Sequence, residues 1–270
     1  MRDFTEGELH ENLLKIAEEF HRICSKHAIP YYMLGGTMLG AIRHNGFIPW
    51  DDDMDFGIPR EHYHRFVQIA ERELSSHYAV ITYVNSTYAM MGFAKIMDVT
   101  TRVEEEFQPR CNEMLGVNID VFPLDHCNGN KGLLSVNFRT RAMFKLQKLL
   151  FVESKNRPWP QKMLAWTVQR LIPIGRTKIP QYQDRQLSAR AYKGRDTYGF
   201  YANFFGAWGL KEIVSKEVFG TPVLYPFENI ELYGVKYPDT YLQHLYGDYM
   251  QIPPEEHRHI HQINAFALNE

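Results

Sequence analysis

Four of the five positions from 51 to 55 are aspartate, and this acidic cluster constrains the fold of the whole chain. The apolar run YYML and the pair Gly35-Gly36 precede it in the same stretch, and Pro59 ends the stretch. Carboxylates held this close together repel one another strongly wherever water is scarce. Because a bound cation removes that repulsion, residues 31–59 predict a metal-dependent site that handles phosphate.

Strand periodicity selects two of the four aspartates as metal ligands. Residues 53–58 alternate polar and apolar side chains, so Asp53 and Asp55 share one face of a predicted strand while the residues between them face the core. Two adjacent carboxylates suit one or two Mg²⁺ ions, with Mn²⁺ as an alternative, because these ions take oxygen ligands and leave positions for a substrate phosphate. Such ions stabilise the attacking and leaving oxygens of an in-line displacement.

Asp120 is the best candidate for a third carboxylate. It lies between Ile119 and Val121 in a predicted strand over residues 117–122. A carboxylate on a neighbouring strand could complete the metal clamp, and it could also accept the proton of an attacking hydroxyl group. An ordinary ion pair between Asp120 and a nearby arginine is the alternative interpretation.

The triplet Gly35-Gly36-Thr37 predicts a turn with accessible backbone N–H groups. Glycine permits close approach of a ligand, and N–H groups at the start of a helix bind phosphate. Thr37 is predicted to cap the short helix that follows. Arg43 and Lys95 are candidate phosphate partners, although structural ion pairs are equally open for both side chains.

Two other interpretations of the acidic cluster compete with the phosphate site. An EF-hand loop would need glycine at its sixth position and glutamate at its twelfth, where this chain has Phe56 and His62. The EF-hand is therefore rejected. A solvated acidic loop that binds no ligand remains open, because aspartates are common in turns.

Two further groups of metal-ligating residue types occur away from the cluster. They are His257, His259 and His261 near the C-terminus, and Cys111, His126 and Cys127 in the middle of the chain. The histidines are best interpreted as part of a polar surface tail. The second group would bind metal only if the fold happened to bring its members together.

Composition restricts the class of protein and its compartment. The chain has 270 residues, 44% of them hydrophobic and 14% aromatic, which is typical of a folded protein with a sizeable core. A net charge of -2 argues against nucleic acid as a partner. The widely spaced cysteines, the charged N-terminus and the lack of a long apolar window predict a cytoplasmic protein, with peripheral membrane contact left open.

The pattern of elements predicts an α+β fold. A capping box at Thr5 to Glu8 opens the first helix, and a short strand covers residues 31–34. Helices are predicted at 60–74, 133–152, 162–172, 181–193 and 240–246, and strands at 78–84, 92–97, 101–105, 117–122 and 227–232. Pro123 is predicted to end its strand. The mixed first half and helix-rich second half suggest one compound unit.

Several blocks of the chain resemble one known family. The segments LGGTMLGAIRHNGFIPWDDDMDFGIPREHY, GFAKIMDVTT, GVNIDVFPLD and YLQHLYGDYMQIPPEEHR are similar, in this order, to the LicD family of phosphocholine transferases. That family belongs to the nucleotidyltransferase-fold superfamily, together with the fukutin-type transferases. The superfamily pattern of a glycine turn, an Asp-apolar-Asp strand and a lone Asp matches Gly35-Gly36, Asp53 with Asp55, and Asp120.

The resemblance implies both an architecture and an activity. The implied architecture is a nucleotidyltransferase-like mixed β-sheet core over residues 1–125, with a helical region over 126–270 that completes the donor and acceptor site. The implied activity is transfer of phosphocholine from CDP-choline to a hydroxyl of teichoic acid, lipopolysaccharide or a lipid-linked precursor, at the inner face of the cell membrane. The oligomeric state is not implied.

Three alternatives to this activity stay open at the level of sequence. They are a transferase for another CDP-linked alcohol such as ribitol or glycerol, a true nucleotidyltransferase that releases pyrophosphate, and an inactive homologue that only binds glycan or nucleotide. If the donor carries choline, its quaternary ammonium should lie on aromatic faces. The candidates for such a cage are Trp50, Tyr88, Phe204 and Trp208.

Overall fold

The structure is a computed structural model of the chain. The residues that it describes are 2–86, 92–104, 108–109, 113–129, 139, 142–143, 145–147, 152–153, 158–171, 177–194, 197–255, 258 and 264–268. The predicted helix at 133–152 falls largely outside these residues. Cys111, Tyr88 and the C-terminal histidines 257, 259 and 261 also lie outside them.

The helices are distributed along the whole described chain. They are α1 (Glu6–Lys26), α2 (Gly35–His44), α3 (Arg60–Glu73), α4 (Trp159–Leu171), α5 (Lys178–Gly194), α6 (Lys216–Phe219) and α7 (Pro238–Tyr246). A 3₁₀ helix covers Gly209–Glu212. The predicted helices at 60–74, 162–172, 181–193 and 240–246 are confirmed within a few residues at each end.

The strands form one larger sheet and three small ones. They are β1 (Arg2–Asp3), β2 (Tyr32–Met33), β3 (Asp55–Pro59), β4 (Tyr78–Ile81), β5 (Ala94–Asp98), β6 (Thr101–Glu104), β7 (Gln108–Pro109), β8 (Asn118–Cys127), β9 (Val152–Glu153), β10 (Phe200–Ala202), β11 (Ile213–Ser215), β12 (Val223–Phe227), β13 (Ile230–Gly234) and β14 (Asn264–Ala267). The small sheets are β1-β14-β6, β12-β13 and β7-β9.

The central sheet is mixed and is organised around β8. Its strand order is β11-β10-β8-β3-β2, and β5 also pairs with β8 and carries β4. The pairing of β3 with β8 is parallel, whereas β2, β5 and β10 are each antiparallel to the strand beside them. The α+β class predicted from the sequence is therefore confirmed.

Helix α1 covers one face of this sheet. Its capping box is present, since the Glu8 N–H donates to Thr5 Oγ1 and the Thr5 N–H donates to Glu8 Oε2. Leu13, Ile16 and Phe20 recur along one side and are almost completely buried in the core cluster. Burying each such side chain contributes about 1.5–3 kcal/mol relative to exposure, so packing of this face stabilises the helix more than its caps do.

The prediction that Pro123 ends its strand is wrong, because β8 continues to Cys127. The Asp120 N–H donates to the Met54 carbonyl on the β3 side. Because the direction of the backbone groups alternates from one residue to the next, those of residues 121 and 123 point to the opposite side. On that side β5 pairs with residues 118–121 and β10 pairs with residues 125–127. Pro123 lies between these two partners, where a missing N–H removes no ladder hydrogen bond.

Three other local predictions also need correction. The helix α2 begins at Gly35, so Gly35 and Gly36 form its first turn, and Thr37 does not cap it. Strand β3 begins at Asp55 rather than at Asp53. The strand predicted at 227–232 is a hairpin, because Glu228 adopts a left-handed φ of 54° and reverses the chain between β12 and β13.

Both halves of the chain contribute to the sheets. Strands β10 and β11 extend the central sheet from β8, and β14 pairs with β1 and β6 of the first half. The proposed boundary between residues 125 and 126 lies inside β8, and the division into two regions stays a prediction. None of the helices in the described part of the chain is long and apolar enough to cross a membrane.

A buried ion network connects the two halves beside β8. Arg60, at the start of α3, donates to both oxygens of Asp125 at 2.8 and 2.9 Å and to Asp184 Oδ1 of α5 at 2.7 Å. Burial by itself lowers the pKa of Arg60, but the charges and hydrogen bonds of Asp125 and Asp184 offset it and raise the pKa above its usual value. The guanidinium is therefore charged and paired with two buried carboxylates.

Candidate active site

Two of the three predicted carboxylates are brought together at the start of β3. Asp55 is the first residue of this strand and pairs in parallel register with Asp120 of β8, so the two side chains project to the same face. Burial, followed by the negative charges of Asp53, Asp120 and Asp51, raises the pKa of Asp55 well above its usual value. The fold thus concentrates negative charge at this end of the sheet.

Lys95 is a cation that the fold places on Asp120, one member of this carboxylate pair. It lies on β5 in register with Asp120, and its Nζ is 2.5 Å from Asp120 Oδ1. The same Nζ donates to Asn118 Oδ1 at 2.9 Å. The suspected ion pair of Asp120 therefore exists, but its partner is Lys95 rather than an arginine.

Each glycine of the pair has a structural reason to be glycine. A Cβ on Gly36 would stand 2.6 Å from Asp51 Oδ2, so the first turn of α2 has no room for a side chain unless that carboxylate moves. Gly35 has a φ of +48°, which glycine adopts without strain. The Gly35 N–H donates to Tyr241 Oη at 3.1 Å. One of the predicted phosphate-binding N–H groups thus already has a protein partner.

Thr37 holds the backbone of Asp55 in place. Its side chain is buried, and its Oγ1 accepts a hydrogen bond of 2.8 Å from the Asp55 N–H. This contact joins α2 to the first residue of β3. Thr37 therefore positions a carboxylate, and a direct contact between its hydroxyl and phosphate stays a prediction.

Arg43 is directed toward the C-terminal part of the chain. Its Nη1 donates to the Tyr249 carbonyl at 2.7 Å, and its Nε donates to His44 Nε2 at 3.0 Å. Burial lowers the pKa of Arg43. These contacts show a structural role, and the predicted phosphate contact of Arg43 stays a prediction.

Three residues of the second half enter the site without having been predicted there. Tyr246 Oη and Asp55 Oδ2 both lie 3.6 Å from the point where a Cβ would stand on Gly35. Burial, followed by the charges of Asp55 and Glu212, raises the pKa of Tyr246. Tyr241 is fully buried, and burial followed by the charge of Glu212 raises its pKa as well. The similarity of the YLQHLYGDY block to the family was the available signal for both tyrosines, whereas Glu212 had none.

The described aromatic candidates for a choline cage differ in their exposure and in what covers their rings. Phe204 is buried in a satellite core, and Trp50 has the Arg258 guanidinium 4.3 Å from its ring centroid. Trp208 remains 41% exposed and packs edge-to-face on Tyr246, with ring centroids 5.0 Å apart. The Lys211 Nζ lies 5.7 Å from the Trp208 ring centroid, which is farther than Arg258 lies from Trp50. Among the described candidates, Trp208 is therefore the one that combines partial exposure with a contact to Tyr246.

Comparison with known proteins gives the chain a family. The model "LicD/FKTN/FKRP, nucleotidyltransferase domain" matches residues 28–162. "Lipopolysaccharide cholinephosphotransferase LicD" of Haemophilus influenzae is 30% identical over 274 positions, covering 99% of this chain and 100% of that protein. The chain belongs to the LicD family. The resemblance noted in the sequence is confirmed, and membership in the LicD family makes the chain a phosphotransferase.

Two shorter matches are to uncharacterized proteins. An uncharacterized protein of Rickettsia typhi is 43% identical over 58 residues, which cover 22% of this chain and 19% of that protein. An uncharacterized protein of Rickettsia prowazekii is 44% identical over 50 residues, covering 18% and 19%. These matches add no information on activity.

The side-chain atoms that this LicD-family site offers as metal ligands suit a hard divalent cation. Asp53, Asp55 and Asp120 offer only oxygen ligands. Burial is the main cause of the raised pKa of Asp55, and the charges of Asp53 and Asp120 raise it further. Among the described residues, however, no three such side chains already stand in a metal-binding arrangement. Because Lys95 holds Asp120 Oδ1, metal binding would use the other oxygen of Asp120 or require Lys95 to move.

Proposed function

We propose that this chain transfers phosphocholine from CDP-choline to a hydroxyl group of lipopolysaccharide, in a reaction that depends on Mg²⁺. The observation that carries the proposal is the pairing of Asp55 with Asp120 in one register at the start of β3, where burial and neighbouring charge raise the pKa of Asp55. The name and full-length similarity of the Haemophilus influenzae relative support the choice of group and acceptor.

The chain's own residues have distinct parts in the proposed reaction. Asp53, Asp55 and Asp120 would hold Mg²⁺, which when bound supplies charge neutralisation at the donor pyrophosphate. Thr37 keeps Asp55 at its position, and Lys95 orients Asp120. The acceptor oxygen forms a bond to the phosphorus of phosphocholine while the bond from that phosphorus to CMP breaks. Asp120 takes the hydroxyl proton, and CMP leaves.

Trp208 is proposed to receive the choline head group. A quaternary ammonium is attracted to the face of an indole ring, and tryptophan is the best of the aromatic side chains in this role. Trp208 is half-exposed, contacts Tyr246 and lies near Glu212, whose Oε1 accepts a hydrogen bond of 3.2 Å from the backbone N–H of Trp208. The carboxylate adds a favourable charge for a cationic head group.

The test of the proposed function is CMP release from CDP-choline with lipopolysaccharide that lacks phosphocholine as acceptor. We expect CMP to form only in the presence of Mg²⁺, and Asp55→Asn to lower turnover by at least about a thousandfold, because electrostatic stabilisation at the transferring phosphoryl group is lost. Glu18→Gln on the surface of α1 serves as the matched control. Near-wild-type turnover in Asp55→Asn would overturn the assignment.

A donor panel separates the remaining alternatives. CDP-ribitol and CDP-glycerol test for another CDP-linked alcohol, and release of pyrophosphate rather than CMP would indicate a nucleotidyltransferase. An inactive homologue would bind CDP-choline without releasing either product. We expect CDP-choline to give the highest kcat/KM.

Replacement of Trp208 tests the head-group assignment. We expect Trp208→Ala to raise KM for CDP-choline about tenfold, because a desolvated cation–π contact contributes about 1–2 kcal/mol. KM for the uncharged donor CDP-glycerol should change little, and Trp208→Phe should restore most of the preference for choline. An equal loss with both donors would assign Trp208 a structural role instead.

A further inference from the structure

The outward face of α4 is apolar, which is the reverse of a helix that packs on a core. Trp159, Met163, Trp166 and Arg170 follow one another at intervals of four, three and four residues, so they form a single stripe along the helix. Trp159 is 73% exposed and Trp166 is 58% exposed. Ala165 lies away from this stripe and is buried. The helix thus directs two indole rings into solvent.

The next helix repeats this arrangement. Along α5 the exposed residues Lys178, Tyr182, Arg185 and Tyr192 follow the same helical spacing, with Tyr182 51% and Tyr192 53% exposed. Leu187 on another side of the helix is buried, as a core-facing residue should be. Two consecutive helices therefore present outward stripes that contain both aromatic and basic side chains.

The charged side chains of these two helices are basic, with a single exception. The sequence of α4 contains no Asp or Glu. The only acidic residue of α5 is Asp184, which is buried and accepts hydrogen bonds from Arg60 and Tyr83. On α4 the Arg170 guanidinium lies 5.5 Å from the ring centroid of Trp166. The stripes are positive although the whole chain has a net charge of -2.

We propose that the stripes of α4 and α5 bind the surface of an anionic phospholipid bilayer. Tryptophan and tyrosine favour the headgroup level of a membrane, where their rings are partly buried and their polar atoms stay hydrated. Lysine and arginine on the same face are attracted to anionic lipids. Lys178 and the lack of exposed acidic side chains on these helices fit a uniformly anionic headgroup layer better than a protein partner, because protein interfaces are depleted of lysine. The proposal does not depend on the chemistry at Asp55 and Asp120.

The binding test uses purified full-length protein and two kinds of vesicle. One contains phosphatidylcholine alone, and the other contains equal amounts of phosphatidylcholine and phosphatidylglycerol. We expect the protein to sediment with the anionic vesicles only and to dissociate as the salt concentration rises, since screening weakens attraction between surface charges. Tryptophan emission should shift to shorter wavelength on binding, because the exposed indole rings leave water.

Two variants test the two components of the stripes separately. Trp159→Ala with Trp166→Ala should weaken binding about tenfold or more, because two interfacial indole rings are lost. Lys178→Glu with Arg185→Glu should abolish the preference for anionic vesicles. The matched controls are Leu224→Ala, an exposed apolar residue of β12, and Lys15→Glu, an exposed cation of α1. Circular dichroism checks that every variant is folded.

The outcomes are distinguishable from those of the enzymatic test. CMP release from water-soluble acceptor fragments does not need a membrane, so both double variants should retain it. Failure of the wild-type protein to sediment with anionic vesicles would overturn the proposal, as would unchanged binding by the Trp159→Ala, Trp166→Ala variant. Tryptophan-dependent self-association without vesicle binding would also overturn it and would instead make the stripes an interface between copies.

Discussion

Asp55 is the residue on which several independent contacts converge. Its backbone N–H is held by Thr37 Oγ1, its carboxylate lies beside Tyr246, and its register partner on β8 is Asp120. These neighbours come from α2, α7 and β8, which are far apart in the sequence. A residue with this many constraints on its position can present its carboxylate with little freedom, which favours a role in binding a metal and a phosphate.

Gly36 gives a prediction at the scale of one residue. In Gly36→Ala the new Cβ would stand 2.6 Å from Asp51 Oδ2, so the carboxylate must move away from the first turn of α2. We expect turnover to fall at least about tenfold, because small displacements at a reaction centre are costly. Stability should change little, because the helix preference for alanine over glycine, about 1 kcal/mol, offsets the cost of displacing the Asp51 carboxylate.

Gly7→Ala is the matched control for this substitution. Gly7 lies in the first turn of α1, where an added Cβ would meet no atom within 4 Å. Turnover should be unchanged in Gly7→Ala, and thermal unfolding monitored by circular dichroism compares the stability of both variants. If Gly36→Ala retained full activity, the position of the Asp51 carboxylate would be irrelevant to the reaction.

At the scale of elements, β8 determines how the site is assembled. It pairs with β3 on one side and with β5 and then β10 on the other, and Pro123 lies between the latter two pairings. Asp120 is the position of β8 at which β3 supplies Asp55 and β5 supplies Lys95. One strand thus brings together two acidic residues and one basic residue that are distant along the chain.

The contact between the C-terminal ends of α1 and α3 gives a prediction on pH. Glu73 pairs with Lys26 and His27 at 2.8 Å each, and their hydrogen bonds lower its pKa from 4.5 to about 2. A lowered carboxyl pKa contributes stability above the unfolded value of 4.5, and this contribution is lost as pH falls toward 2. The effect should be small because the pair is on the surface.

Urea unfolding at a series of pH values measures this contribution. Between pH 4.5 and 2 the urea midpoint of Glu73→Gln should fall less steeply than that of the wild-type protein. Glu18→Gln, on the exposed side of α1, should follow the wild-type curve. Identical curves for Glu73→Gln and wild type would mean that the ion pair contributes nothing.

At the scale of the whole molecule, Arg60 joins parts of the chain that are distant in sequence. It belongs to α3, while its partners Asp125 and Asp184 belong to β8 and α5. All three are buried. The network therefore fixes α5, with its outward aromatic and basic stripe, to the strand that carries Asp120.

Removal of Arg60 should destabilise the entire fold. We expect Arg60→Ala to cost about 3–5 kcal/mol in the free energy of unfolding, because it leaves the buried carboxylate of Asp125 without its partner. Urea denaturation followed by tryptophan fluorescence measures this change. Arg22→Ala, which removes a surface pair with Glu19, should cost less than about 1 kcal/mol. Equal effects of the two substitutions would contradict the structural role of Arg60.

Local patterns predicted most elements and failed where pairing decided the outcome. The capping box and the periodic apolar residues of α1 and α3 were sufficient because helices depend on contacts between near neighbours. Pro123 was wrongly predicted to end its strand, because its tolerance depends on the gap between β5 and β10. The hairpin after β12 was missed because the left-handed residue is Glu228, which is not a usual turn residue.

The sequence by itself indicated the LicD family and the α+β class, both of which are confirmed, and it predicted which acidic residues form the site. Alternation along single strands, which is a local pattern, selected Asp53, Asp55 and Asp120. Because β3 begins at Asp55, that alternation does not extend to Asp53. Only the tertiary structure decided that Lys95 holds Asp120 and that Tyr246 and Glu212 surround Asp55. The physical reason is that strand register and the packing of the second half are set by contacts between distant segments, which leave no periodic signal in either segment.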